Sequence, residues 1–157
     1  MTKSQKITLF LFRFSLGWMY LYAGFSKLID PEWTSQGYLE HAQDPTGFYV
    51  WMAQSSFLPV VDFMNEWGLT LLGLSLILGL LVRLSGVLGA LLMLLYYLAL
   101  GFPYPNEHAF IVDEHIIYIF ALFFLVSISA GRIYGLDAWC SQLPICKRYP
   151  KIRNLLG

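Results

Sequence analysis

The chain has 157 residues, 57% of them hydrophobic and 13% charged, with ten bases balanced by ten acids. A soluble domain carries about 25% charged residues, so a water-solvated surface would be hard to cover and one membrane-embedded domain is expected. The few bases leave no patch suited to nucleic acid.

Four apolar stretches predict an all-α membrane protein, a bundle of four transmembrane helices over residues 7–28, 59–82, 84–101 and 109–130. Each is close to the roughly 20 residues that a span requires. Residues 7–28 show no small-residue cleavage pattern and are long for a signal peptide, so they read as a retained helix. Within them Arg13, Gly17, Tyr20, Gly24 and Lys27 follow spacings of four, three, four and three. Such spacing draws one line down a helix. Charge rarely faces lipid, so the line should point into the bundle, with the glycines admitting a neighbouring helix.

Residues 30–58 form an outer loop punctuated by Trp33, Tyr38, Phe48, Tyr49, Trp51 and Phe57. Asp30-Pro31 and Asp44-Pro45 both resemble helix starts, a capping acid followed by proline. Short aromatic helices here would lie at the membrane surface, either as a lid over the bundle or as anchors. Residues 69–100 are nearly continuous apolar sequence, roughly 48 Å if helical, and so must fold back within a ~30 Å hydrocarbon core. Arg83-Leu84-Ser85-Gly86 is the expected turn. Pro59 suits a first helical position and sets Asp62, Asn65 and Glu66 in the outermost turns. The fourth span should begin near His108 and carry Asp113, Glu114 and His115 in its outer part. On that helix His115 and Tyr118 share a face, while Asp113 points about 160° away.

Threading the spans sorts the charges. Lys3, Lys6, Arg13, Arg83, Arg132, Lys147, Arg148, Lys151 and Arg153 fall on the side of both termini. Asp30, Glu32, Glu40, Asp44, Asp62, Glu66, Glu107, Asp113 and Glu114 fall on the other. Basic residues in short loops set orientation, so both termini and the tail, 131–157, should be cytoplasmic. The exceptions are Lys27 and Asp137. Lys27 should meet Asp30, Asp62, Glu66, Asp113 or Glu114, since a buried base and acid stay ionised only as a pair. Such a pair fits a structural role or the holding of a polar headgroup. His115 is a candidate proton donor or acceptor with Tyr118 beside it.

No metal, haem or flavin motif is visible. His108, His115 and an acid match no zinc spacing. Cys140 and Cys146 fit neither a redox nor a zinc pattern and should stay reduced. His41 reads as solvated, and the basic tail as meeting anionic headgroups.

Several segments then resemble one family in order. Arg13-Phe-Ser-Leu-Gly17 with Tyr22-Ala-Gly24-Phe-Ser-Lys27 is similar to the start of DoxX/DoxD membrane proteins. Asp30-Pro31-Glu32-Trp33, Asn65-Glu66-Trp67-Gly68, Tyr96-Tyr97, Val112-Asp113-Glu114-His115 and Gly135-Leu136-Asp137 resemble the DoxD branch. The resemblance implies a four-helix subunit of a thiosulfate:quinone oxidoreductase, with quinone as co-substrate and a DoxA-like partner subunit. Within that expectation the candidate catalytic residues are His115, Tyr118 and Asp113. Lys27, Glu66, Asp62, Arg13 and Tyr20 are the candidates for substrate binding or the charge pair. Thiosulfate would favour Lys27, yet the neighbouring acids would repel it. The lipid bilayer is the expected surrounding, and a homo-oligomer is compatible with the sequence. The competing expectation is a non-catalytic scaffold in which charged pairs set helix register; transport gains little from only four spans without broken helices.

Overall fold

A computed structural model describes residues 1–54, 56–101, 110–143, 146 and 155–156. The described residues contain helices and no strand: α1 (Lys3–Leu28), α2 (Gln36–Glu40), α3 (Phe48–Gln54), α4 (Leu58–Leu78), α5 (Val82–Ala99), α6 (Glu114–Ser127), a 3-10 turn (Ala130–Arg132) and α7 (Asp137–Cys140). Two of them, α4 and α5, are long and apolar enough to cross a membrane. Helix α1 is longer, with Arg13 inside it and Lys3, Lys6 and Lys27 toward its ends. Helix α6 is apolar but has only 14 residues, roughly 21 Å of rise.

Helix α1 opens on a capping box. The Thr2 hydroxyl accepts from the Gln5 amide at 3.2 Å and the Gln5 side chain accepts from the Thr2 amide at 2.7 Å. Its buried face contains Arg13, Gly17, Tyr20 and Gly24, the inward line expected from the spacing. That face meets α4. A Cβ on Gly73 would collide with the Leu21 backbone nitrogen, and one on Gly24 with the Thr70 amide. Lipid tails are as apolar as leucine, so close backbone approach supplies association that apolar burial cannot. Helices α5 and α6 pair likewise, with Gly86 against Val126.

The turn between α4 and α5 lies at 79–81, earlier than the expected Arg83–Gly86 turn. Gly79 ends α4 in the left-handed region at φ 64°, and Leu81 follows at φ 57°. A left-handed leucine costs about 1 kcal/mol or more, so something must hold it. Asp137 does. Its carboxylate accepts from the Leu81 amide at 2.7 Å and the Val82 amide at 3.2 Å. The spans drawn at 59–82 and 84–101 therefore become Leu58–Leu78 and Val82–Ala99, and Arg83 and Gly86 are helical. The span drawn at 109–130 narrows to Glu114–Ser127; residue 109 and His108 lie outside the described residues.

The loop joining α1 to α4 covers one end of the bundle. Asp44 accepts from the Phe48 amide at 2.7 Å at the start of α3, but Pro45 lies in the preceding turn rather than at the first helical position. Asp30 does not start a helix: it closes a local turn on the Glu32 amide at 3.1 Å, and α2 begins only at Gln36. The remote acid Asp62 fixes that start by accepting from the Ser35 amide at 2.8 Å. The loop also satisfies the last carbonyls of α5, which lack helical partners. Tyr38 donates to Tyr96 at 3.0 Å, the Gln43 amide to Ala99 at 2.9 Å, and Leu100 and Gly101 close on Tyr97 and Leu98.

The described part of the tail folds back on the bundle. The Leu84 amide donates to Leu155 at 3.3 Å, and Cys146 is buried. Lys147, Arg148, Lys151 and Arg153 lie outside the described residues.

Candidate functional site

At the end of the bundle away from the termini, α1, α4, α5 and α6 splay around a cavity of about 980 Å3 that α2 and α3 cover. Helix α1 contributes Met19, Tyr20, Ala23 and Lys27; α4 contributes Val61, Met64, Asn65 and Leu69. Helix α5 adds Leu92, Met93, Leu95 and Tyr96, and the start of α6 adds Glu114, His115 and Tyr118 with its cap Asp113. Trp33, Tyr38, Leu39, Tyr49 and Met52 form the covering wall. The aromatic loop is thus a lid in geometry, not only an anchor. A second hollow of about 630 Å3 between α4 and α5 is lined by leucines, Phe63, Trp67 and two serines, with no titratable side chain.

The first cavity gathers chemistry. Asp113 caps α6: its Oδ1 accepts from the Ile116 amide at 3.1 Å. As a cap it sits in extended backbone rather than on the helical wheel. Its Oδ2 therefore reaches His115 Nδ1 at 2.5 Å, which corrects the expectation that Asp113 points away. With the carboxylate ionised, Nδ1 carries the proton and Nε2 is the nitrogen left to meet a ligand. Asp113 is buried, and His115 is partly exposed beside it. The His115 ring lies 5.7 Å from that of Tyr96, whose hydroxyl donates to the Asn65 carbonyl oxygen. Asn65 in turn donates to Val61 at 2.9 Å, so this network is closed. Tyr20 packs edge-on to Tyr118 with centroids 6.0 Å apart, and its hydroxyl has no partner among the described residues.

Lys27 lines the same cavity without the expected ion pair. Among the described residues no carboxylate lies within 4 Å of its ammonium group. It donates to Ala23 at 3.2 Å and sits 5.2 Å from the Trp33 ring centroid, a cation–π contact. Two of the candidate acids lie outside the cavity wall. Asp62 accepts from Thr34 at 2.9 Å and from both the amide and the hydroxyl of Ser35. Glu66 does not line the cavity; its backbone carbonyl takes the Thr70 hydroxyl at 2.7 Å.

Arg13 lies at the other end of α1, about 14 residues or roughly 21 Å from Lys27. It is fully buried and donates to the carbonyls of Ala130, Ile133 and Tyr134, the last two at 3.0 Å. Asp137, also fully buried, offsets its charge. This is a structural knot remote from the cavity, and it explains Asp137, the acid on the basic side. The structure therefore brings Lys27, Tyr20, Tyr118, His115 and Asp113 together and leaves Arg13, Asp62 and Glu66 outside the cavity wall.

The family model for DoxX matches residues 8–101. The chain belongs to the DoxX family. That match covers most of α1, all of α2 through α5 and most of the cavity wall, and ends before Asp113, His115 and Tyr118. No curated protein and no solved structure matches the chain. As a DoxX protein it is a membrane protein, in agreement with the apolar helices α4 and α5.

Two features of the DoxX cavity escaped the spacing arguments. Four of the five methionines, Met19, Met52, Met64 and Met93, line it. Methionine is unbranched and adapts to irregular ligands, and its scarcity outside this region is a signal readable in advance. The Asn65–Tyr96 bond joins two helices, and no local pattern announces it.

Proposed function

We propose that this DoxX protein is a quinone-binding membrane subunit of an oxidoreductase, with α1, α4, α5 and α6 all crossing the bilayer and both termini cytoplasmic. The orientation rests on the bases gathered at the terminal end. Helix α6 completes its crossing with the flanking residues 110–113 and 128–132. The observation that carries the functional reading is the Asp113–His115 pair facing a large apolar cavity at a helix-bundle end. Ligand sites of this kind are mostly apolar with a few convergent polar groups, and a quinone ring with its hydrophobic tail matches that composition.

Quinone reduction to the quinol requires two electrons and two protons. His115 Nε2 is placed to exchange one proton with a ring oxygen, and Asp113 stabilises the imidazolium that forms or precedes it. Lys27 near the mouth favours negative charge developing on the ring. The electrons come from a reduced donor: two thiosulfates joining as tetrathionate release the required pair, delivered through a DoxA-like partner. The DoxD-like assignment and the donor belong to this proposal, and the aromatic lid would keep the reacting ring from water.

The test uses wild-type and His115→Ala protein in lipid nanodiscs, with and without a co-purified partner. Decylubiquinone reduction by thiosulfate is followed by absorbance, and quinone binding by quenching of tryptophan fluorescence. Saturable binding and a rate that His115→Ala lowers support the subunit. If the two proteins bind quinone and react alike, the site is not catalytic and the chain acts as a scaffold.

A further inference from the structure

We infer that the Tyr20 hydroxyl is the deep hydrogen-bond donor of the cavity, reserved for a neutral carbonyl oxygen on its ligand. Tyr20 is 2% exposed, and its hydroxyl has no partner among the described residues. Tyrosines on or near the cavity wall are otherwise used. Tyr96 donates to Asn65, Tyr49 to Leu95 at 2.8 Å and Tyr97 to Ile111 at 2.8 Å. A buried donor left unmade is costly, and such groups are ordinarily paired. The other buried donor without a partner among the described residues is Arg13 Nε, at the opposite end of the bundle; among these tyrosines Tyr20 is the exception.

Its position gives the exception a use. Tyr20 and Lys27 sit on one line of α1, seven residues or roughly 10 Å apart along the axis. Lys27 faces the wall that carries Trp33, Thr34 and Ser35, while Tyr20 meets Tyr118 at the inner part of the cavity. Tyr20 lines the cavity, and its hydroxyl is buried. Methionine side chains such as Met19 and Met93 line the same cavity and can shift to admit an acceptor. An anion would be poorly held there, because the surroundings are apolar and both Arg13 and Lys27 lie seven residues, roughly 10 Å, away along α1. A carbonyl oxygen needs a donor and no counter-charge. The chemical class is therefore an aryl or quinoid carbonyl with an apolar tail. The identity of that carbonyl as a quinone rests on the reading above; the role of Tyr20 does not.

The experiment compares wild-type and Tyr20→Phe protein in lipid nanodiscs, first without ligand and then titrated with three probes. Decylubiquinone carries quinoid carbonyls, decanophenone a single aryl ketone, and decylbenzene none. Loss of an unmade hydroxyl should leave the ligand-free Tm unchanged or higher. Affinity for both carbonyl probes should fall about tenfold, while decylbenzene binds the two proteins equally. Wild type that binds decanophenone but not decylubiquinone ends the quinone reading and leaves the Tyr20 assignment standing. A Tm lowered by several degrees in Tyr20→Phe would show a structural partner and overturn the assignment. Equal carbonyl binding by both proteins, or no decanophenone binding by wild type, overturns it as well.

Discussion

The two ends of the bundle treat charge in opposite ways. At the terminal end, Arg13 and Asp137 are both fully buried, and nearly every polar atom they carry is spent on backbone. Glycines there bring backbone against side chain: a Cβ on Gly131 would strike the Asp137 carboxylate. At the other end Lys27, Tyr20, His115 and Tyr118 surround a cavity, and the Tyr20 hydroxyl has no hydrogen-bond partner among the described residues. One end is closed and the other is held open. The structural knot and the proposed ligand site thereby fall at different ends of the same helices.

Substitutions can break this contrast. The largest effect is expected at the closed end. Asp137→Ala removes the acceptor for two amides at a left-handed leucine and leaves Arg13 buried without its counter-charge, costing about 3–5 kcal/mol. Chemical unfolding in detergent reads this, and a loss below about 1 kcal/mol would falsify the knot. At the open end, His115→Ala should lower quinone reduction about 100-fold with the unfolding midpoint nearly unchanged. A variant that instead unfolds early would merge the two ends into one structural role.

Gly73 and Gly68 sharpen the contrast within α4. Gly73→Ala forces a Cβ into the α1 backbone and should cost about 1–3 kcal/mol. At Gly68 the nearest obstacle is Leu92 at 3.8 Å, so Gly68→Ala should gain up to about 1 kcal/mol from helix propensity. Equal shifts would mean that α1 and α4 are not in close contact. The smallest effect concerns the lid. Hydrogen bonds from the Thr46 amide, then from the Thr46 hydroxyl, hold the Asp44 carboxyl below its usual range. Its folded value is depressed, so its contribution is present above the ordinary carboxylate pKa of about 3.9 and is lost as pH falls through the folded value. Trp51 fluorescence should therefore change at acid pH, and Asp44→Ala should remove that step.

Much of the fold was legible in the sequence. The spacing of Arg13, Gly17, Tyr20 and Gly24 announced a buried line on α1, because side chains three and four apart must share a face. Pro59 falls in the first turn of α4, where its missing amide costs nothing. The turn was misplaced because Arg83 looked like an interfacial stop, while Gly79 and a left-handed Leu81 make the bend with a carboxylate from a distant segment. Of the candidate residues Lys27, Tyr20, Asp113, His115 and Tyr118 line one cavity, while Arg13, Asp62 and Glu66 do not, and the pairings were not legible. Asp113 was read as a helical residue, but a cap does not follow helical periodicity. Lys27 was matched to acids by proximity along the spans, yet Asp62 is committed to Ser35 and Thr34, and the lysine rests on Trp33 instead.

The sequence by itself determined that the chain is helical, membrane-bound and charge-sorted, because composition and periodicity are local quantities that require no knowledge of neighbours. It also determined which face of α1 turns inward. Only the tertiary structure decided that Asp137 serves the α4–α5 turn, that Asp62 fixes the lid, and that His115 takes Asp113 as its partner. The first two contacts join residues far apart in the chain, and the third depends on the extended backbone at a helix cap, so hydrogen bonding is settled by distance in space rather than by spacing in sequence.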